Sequence, residues 1–419
     1  MLNFIVLLIL AILGVSALRV HKHQGIGLAL CWSMIAVEGV LQHSSTFFVQ
    51  YASLTNYYIG FVALAGAISL LVKEGYGRKV LPTQLLLYTL LLVLAAVSTQ
   101  WSPDTKSSIA ILKSSVPFIV TFVFVAPFCS SNDKHFNTAV EFSVFYGGVV
   151  IVGMLLCEFG QRGITIGYRG GRTVESNPLA IASYAGVVCI CCLFSIYSHK
   201  KTKWLLWLKI GIAALAVLTI FKSGSRGQLF ALAVALLLWL PLTVKFAVNR
   251  SAITAIVIIA FIGFLGGIFF VDQNPNRWRL SGIQSAQRGR IDMALDAINV
   301  YADGDLFNWI LGVGSSASYK IFGIYPHNVP VEILLEEGLA GLFLFIPIAF
   351  VSGRQGYRIL ADRSISFQSR VNIGVLMALF TFFGLLMFKQ GSMLGSTPFF
   401  GTAVCIGWIA QLHSPGKQP

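Results

Sequence analysis

The run Tyr325-Pro326-His327-Asn328-Val329-Pro330 holds the side chain best suited to move a proton. An imidazole with a pKa of about 6.5 can take a proton from a hydroxyl at neutral pH. Asn328 is a good helix cap and a first helical turn tolerates Pro330, so His327 is expected at a helix entrance on a backbone restrained by Pro326. Arginines recur at Arg169, Arg172, Arg226, Arg288 and Arg290. Each guanidinium is a planar fork matched to two phosphate oxygens. A histidine able to act as a base beside such arginines would suit an anion site at which a hydroxyl gives up its proton. A plainer reading stands beside this one. A lone histidine is more often structural, and the arginines could bind lipid headgroups or pair with Asp292, Asp296, Asp303 and Asp305.

Those residues belong to a chain of 419 residues that is 56% hydrophobic and 11% charged, with a mean hydropathy of +0.78. Soluble domains carry about 25% charged residues, so the composition excludes a soluble globular enzyme, a disordered chain and a secreted disulfide scaffold. Apolar runs long enough to span a bilayer, or nearly so, recur from 2–18 to 398–412 and include 80–98, 252–271 and 338–352. The expected architecture is one all-α polytopic membrane domain over 1–419, with about 12 spanning helices. Met1 to Leu18 lacks a basic n-region and a small-residue cleavage site, and is read as an uncleaved first helix. The seven cysteines lie in or beside apolar runs without metal-ligand spacing and are read as packing residues. Lys113, Glu141 and Lys209 fall inside predicted helices, near their ends, as snorkelling or packing groups.

The net charge is +14. Lys and Arg in alternate loops favour one side of the membrane only narrowly, and the favoured side is read as cytoplasmic. The outer loops 158–177, 222–227 and 272–337 keep more arginine than lysine. A loop with no task there would tend to lose such residues, which favours an anion site at the outer end. Within the large loop 272–337, Gln287–Ala302 places Ile291, Leu295, Ile298 and Ala302 on one helical face, and Arg288, Asp292, Asp296 and Asp303 on the other. This predicts an amphipathic helix at the membrane–water boundary, capping the bundle. Its aspartates are read as a solvated face.

Taken in order, the motifs resemble the O-antigen ligase and polymerase superfamily. The resemblance rests on Pro326-His327-Asn328 followed by Glu336 and Gly338, with Gly312-Val313-Gly314 upstream. Gly171-Arg172-Thr173 with Asn177-Pro178, Ser223-Gly224-Ser225-Arg226-Gly227, and Arg290 followed by Ile291-Asp292-Met293 extend it over residues 165–345. Met293 stands where the family usually has Trp.

The resemblance implies a membrane-embedded glycosyltransferase with a GT-C-type bundle, in the bacterial inner membrane with its site on the periplasmic face. It implies a donor glycan on undecaprenyl pyrophosphate, inverting transfer, no cofactor and no metal. His327, Arg226 and Arg290 are the expected catalytic residues. Arg172, Arg169, Arg288 and Asn328 are the expected substrate-binding residues, with Asn328 also expected to cap its helix and Glu336 to steady the His327 turn. The acceptor is expected to be lipid A–core, as for a ligase. A polymerase of the same superfamily would use a second lipid-linked repeat, and a protein acceptor is a further possibility. Membrane lipids are expected partners and nucleic acid is not. A lipid-glycan transporter is the rival from another class. It would show repeated broken helices with charges at mid-membrane, which the sequence lacks.

Overall fold

The computed structural model describes residues 1–74, 80–160, 163–169, 172–197, 203–244, 280–362 and 364–413; the side chains of 74, 167–169, 172–173 and 280–288 lie outside that description. Among the described residues, ten helices are long and apolar enough to cross a membrane. They are α1 (Leu2–Arg19), α2 (Ile26–Ser44), α4 (Ser53–Glu74), α6 (Thr105–Ile119), α8 (Asp133–Leu156), α9 (Pro178–Ser195), α10 (Lys203–Lys222), α11 (Arg226–Val244), α15 (Val329–Ala361) and α16 (Phe367–Met387). The crossing segment that begins with α6 continues through a six-residue π-helix, Val120–Val125, and the short α7 (Ala126–Phe128). Two shorter apolar helices, α5 (Thr83–Ser98) and α17 (Thr397–Leu412), pack in the same bundle. Short helices α3 (Thr46–Gln50), α13 (Leu306–Leu311) and α14 (Ala317–Phe322), with the longer α12 (Leu280–Ala302), complete the order. The expected span at 252–271 lies outside the described residues.

The protein is thus a polytopic helical membrane protein, with one departure from an all-α reading. Thr165–Arg169 (β1) and Arg172–Glu175 (β2) form an antiparallel hairpin, with a bulge between Thr165 and Gly167. The sequence carried the signal: β-branched and aromatic residues flank the Gly170-Gly171 pair, a composition typical of hairpins. A helix-period search over so short a segment passes it by. His43 at the end of α2 fixes the hairpin base. Its Nδ1 meets the Thr165 carbonyl and its Nε2 accepts from the Glu158 amide at 3.4 Å.

All seven cysteines are buried thiols without disulfides, as packing residues would be. Lys209 is 3% exposed and lies 3.5 Å from Glu141, while also donating to the Ser195 carbonyl at 3.0 Å. That pair is a closed packing unit between α8, α9 and α10.

The amphipathic helix is longer than Gln287–Ala302 and faces differently from a simple cap. Ala297 is fully buried where α12 packs on α15, whereas Ile291, Leu295 and Ile298 are exposed. Leu306, Phe307, Trp309 and Ile310 of α13 are exposed too. An outward apolar stripe is costly in water and favourable at a lipid boundary, so the helix turns its small face to the protein and its large apolar face away.

Candidate functional site

The site is built on a break in α15. Gly338 adopts φ 63° and ψ −158°, a conformation close to glycine-only, and divides the helix into a short first segment and a long spanning one. The carbonyls released there are taken up by the Gly312-Val313-Gly314 segment. Val313 donates to the Leu335 carbonyl at 2.9 Å and Gly314 to the Glu336 carbonyl at 3.0 Å. A Cβ on Gly312 would overlap the Glu336 carbonyl, and one on Gly338 would meet the Ile310 oxygen at 2.5 Å. The glycines of the two motifs are one device that lets two backbones touch.

Glu336 completes this support. Its buried carboxylate accepts from Ser316 N at 2.6 Å, Ser318 N at 3.1 Å and Ser318 Oγ at 2.5 Å. It braces the turn leading to α14, and through it the chain that returns to His327. Asn328 caps α15, its Oδ1 accepting from Val331 N at 3.3 Å.

His327 is half-buried, with its backbone in the left-handed region at φ 57°. Few non-glycine residues sit there, and histidine is among the types that do. Its ring meets Tyr325 edge-on at 4.5 Å between centroids. Burial, and then the charge of Arg290, hold the imidazole below its ordinary pKa, so it is neutral and able to accept a proton at pH 7.

Arg226 opens α11, directly after a tight turn in which Gly224 takes φ 67°. Arg290 is half-buried on the inward face of α12, two helical turns before the buried Ala297 that shares that face. A third cation joins them. Lys389, just beyond α16, has its pKa pushed down to about 8 by burial first and then by the charges of Arg290 and Arg226. Its ammonium lies over Gly227, where any Cβ would overlap it. The loop carrying Lys389 is held on both sides: Gln228 donates to Gln390 at 2.8 Å, and Met393 N donates to Glu332 at 3.1 Å. Among the described residues neither Arg290 nor Lys389 makes an ion pair with a carboxylate. Like charges gathered in a half-buried space repel one another and favour an anionic ligand.

The backbone adds to that field. Asn177 caps α9, accepting from Leu179 N at 2.9 Å, and Gln228 near the start of α11 donates to the Leu179 carbonyl at 3.3 Å. The N-termini of α9 and α11 therefore lie side by side, with positive dipole ends at the same end of the bundle. A cavity of about 230 Å³ opens between α2, α9 and the α16–α17 region. Asn177, Ser183, Tyr184, Tyr325, Gln390 and Ser396 give its lining polar groups, while Trp32, Ile35, Val187, Phe383 and Leu386 are apolar. Tyr325 lies two residues before His327 and Gln390 directly follows Lys389, so the cavity and the cations are neighbours.

The structure brings together three of the sequence-selected residues, His327, Arg226 and Arg290. Arg169 and Arg172 face each other in backbone register at the tip of the hairpin; their side chains, and that of Arg288, lie outside the described set. Lys389 was not singled out by the sequence, because a lysine directly after an apolar run reads as a flanking charge. Lys222, another cation of the outer loops, is structural: it donates to the Leu155 and Cys157 carbonyls at 2.9 and 3.2 Å and lies over the Phe159 ring at 4.6 Å.

Comparison with protein-family models finds no match, and neither the curated proteins nor the solved structures hold one that matches this chain.

Proposed function

We propose that the protein is a membrane-embedded glycosyltransferase with a GT-C-type bundle, moving a glycan from undecaprenyl pyrophosphate to lipid A–core on the periplasmic face of the bacterial inner membrane, as an O-antigen ligase does. The observation that carries this reading is the convergence of Arg226, Arg290 and Lys389, without acidic neutralisation of the last two, beside a neutral, half-buried His327. The adjoining cavity combines polar groups such as Asn177 and Gln390 with a mostly apolar lining, which fits a ligand with a charged head and a hydrocarbon tail.

In this mechanism the pyrophosphate lies among the three cations and the tail enters the apolar cavity. The acceptor hydroxyl gives its proton to the imidazole of His327 as its oxygen bonds to the anomeric carbon. The bond from that carbon to the terminal phosphate oxygen breaks on the opposite face, so the configuration inverts. The bonding pair leaves on the pyrophosphate, where the cations stabilise the growing charge more in the transition state than before it. Asn328 and Glu336 act on the backbone around His327 rather than on substrate.

The test uses purified protein, lipid-linked glycan, and lipid A–core present or absent, for wild type and His327→Ala. Glycan on lipid A–core, lost in the variant, is the expected result. Longer lipid-linked chains formed without that acceptor would make the protein a polymerase with the same chemistry. Equal turnover by wild type and variant would remove His327 from the mechanism.

A further inference from the structure

A second cavity, of about 610 Å³, lies apart from the cation cluster between α4 and the segment running from α6 into the π-helix. Its lining descends from Ser53, Asn56 and Tyr57 through Gly60 and Phe61 to Leu64 on one wall, and from Lys113 through Pro117 and Phe118 to Val125 on the other. At Gly60 the two walls are in contact distance, since a Cβ there would lie 3.5 Å from Thr121 Oγ1. Pro117 has no amide to offer the Lys113 carbonyl, which loosens the helix on the groove side and leads into the π-turn.

Lys113 is the anomaly of this groove. It is exposed, and no described residue forms a hydrogen bond or ion pair with its ammonium. It lies eight residues inside α6, at a depth of about 12 Å along the helix axis. An ionisable group at such depth is expensive and tends to have a purpose. Helical side chains lean toward the N-terminus, so Lys113 reaches back toward the end of the bundle where Thr105 and Ser53 begin their helices. That is the end carrying His327, since Trp101 donates to the Gly312 carbonyl at 3.2 Å and Ser108 to the Ser315 carbonyl at 2.7 Å. The mouth of the groove thus carries a cation from Lys113 and hydroxyls from Ser53 and Tyr57, and its depth, apart from Thr121, is apolar.

We propose that this groove is a binding site for one anionic phospholipid of the leaflet on the site side, its headgroup phosphate held by Lys113 and an acyl chain lying along Phe61, Leu64, Phe118 and Val125. Charge complementarity selects the occupant: a zwitterionic headgroup brings its own cation against Lys113, whereas phosphatidylglycerol brings a net negative charge and hydroxyls for Ser53 and Tyr57. The site needs no assumption about the reaction at His327.

The experiment is native mass spectrometry of the full-length protein in detergent, titrated with phosphatidylglycerol or phosphatidylcholine. Wild type is expected to retain one phosphatidylglycerol at least about fivefold more tightly than phosphatidylcholine. Lys113→Gln is expected to abolish that preference, and Lys106→Gln, outside the groove, to leave it intact. Leu64→Trp, which fills the groove and keeps the charge, is expected to weaken both lipids. Equal preference in Lys113→Gln and wild type would overturn the proposal, as would a lipid-free dimer that loses its association in Leu64→Trp.

Discussion

The two ends of the bundle use the same kinds of side chain to opposite effect. At the end away from His327, the best-buried charges meet partners. Asp133 accepts from Ser369 Oγ at 2.8 Å, Asn372 Nδ2 at 3.0 Å and His413 Nε2 at 3.0 Å, and Lys209 meets Glu141 and a carbonyl. At the other end Arg290 and Lys389 share a half-buried space with Arg226, and no described carboxylate bridges either of the two. Two of the acids nearby in the chain are committed elsewhere, Glu336 to the Ser316–Ser318 turn and Glu332 to Met393 N. A network that only holds helices together is satisfied from within. One that awaits a ligand keeps its charge available and gives up some stability.

Paired substitutions would break this contrast most sharply. Arg226→Ala or Arg290→Ala should lower turnover by about a hundred- to a thousandfold, and Arg290→Ala should leave thermal unfolding in detergent nearly unchanged. Lys209→Met should do the reverse. It removes one partner of a buried pair, at a cost of about 3 kcal/mol, and leaves turnover per folded molecule intact. If both kinds of variant behave alike, the two ends do not differ in kind.

Gly338→Ala sits between the two classes. The positive φ and the contact with the Ile310 carbonyl should cost at least about 2 kcal/mol, and the His327 turn should loosen with it. Unfolding and turnover are then expected to fall together, measured on the same preparation.

The pH profile sharpens the comparison further. His327 must be neutral to accept a proton and its pKa is depressed, so turnover should rise through a limb below about 6.5. Lys389 must be charged to hold an anion, so turnover should fall as pH rises through about 8. Lys389→Arg should move the alkaline limb upward, because a guanidinium stays protonated. Lys389→Gln should weaken turnover while raising stability by about 0.5 kcal/mol through relief of like-charge repulsion. An alkaline limb that stays in place in Lys389→Arg would assign it to another group.

The smallest effect on turnover belongs to Lys222. Lys222→Met loses charged hydrogen bonds to the end of α8, worth about 1.5 kcal/mol at most for a half-buried group, and should leave turnover alone. A large loss of turnover would move Lys222 into the site.

Much of the fold was legible, and the reason is local. Hydropathy along a spanning segment is set by the lipid around it, so α1, α2, α8, α10 and α16 could be read one at a time. The cap at Asn328 was legible too, because capping is a property of a few adjacent residues. The hairpin at 165–175 was not read, since its strands are short. The facing of α12 was not read either. Its apolar stripe is the same in sequence whether it meets protein or lipid, and only the burial of Ala297 in a helix that packs on α15 tells them apart.

The sequence by itself determined the class of molecule, a helical membrane protein whose outer loops are arginine-rich, and it marked His327, Arg226 and Arg290 as chemically able. Tertiary structure alone decided that these three meet, and that Lys389 joins them. It also turned Gly312-Val313-Gly314 and Gly338 into one backbone contact. Chemical type belongs to a residue and can be read where it stands. Proximity across the ends of α11, α12, α15 and α16 depends on how helices pack, and packing is settled by shape and burial between segments far apart in the chain.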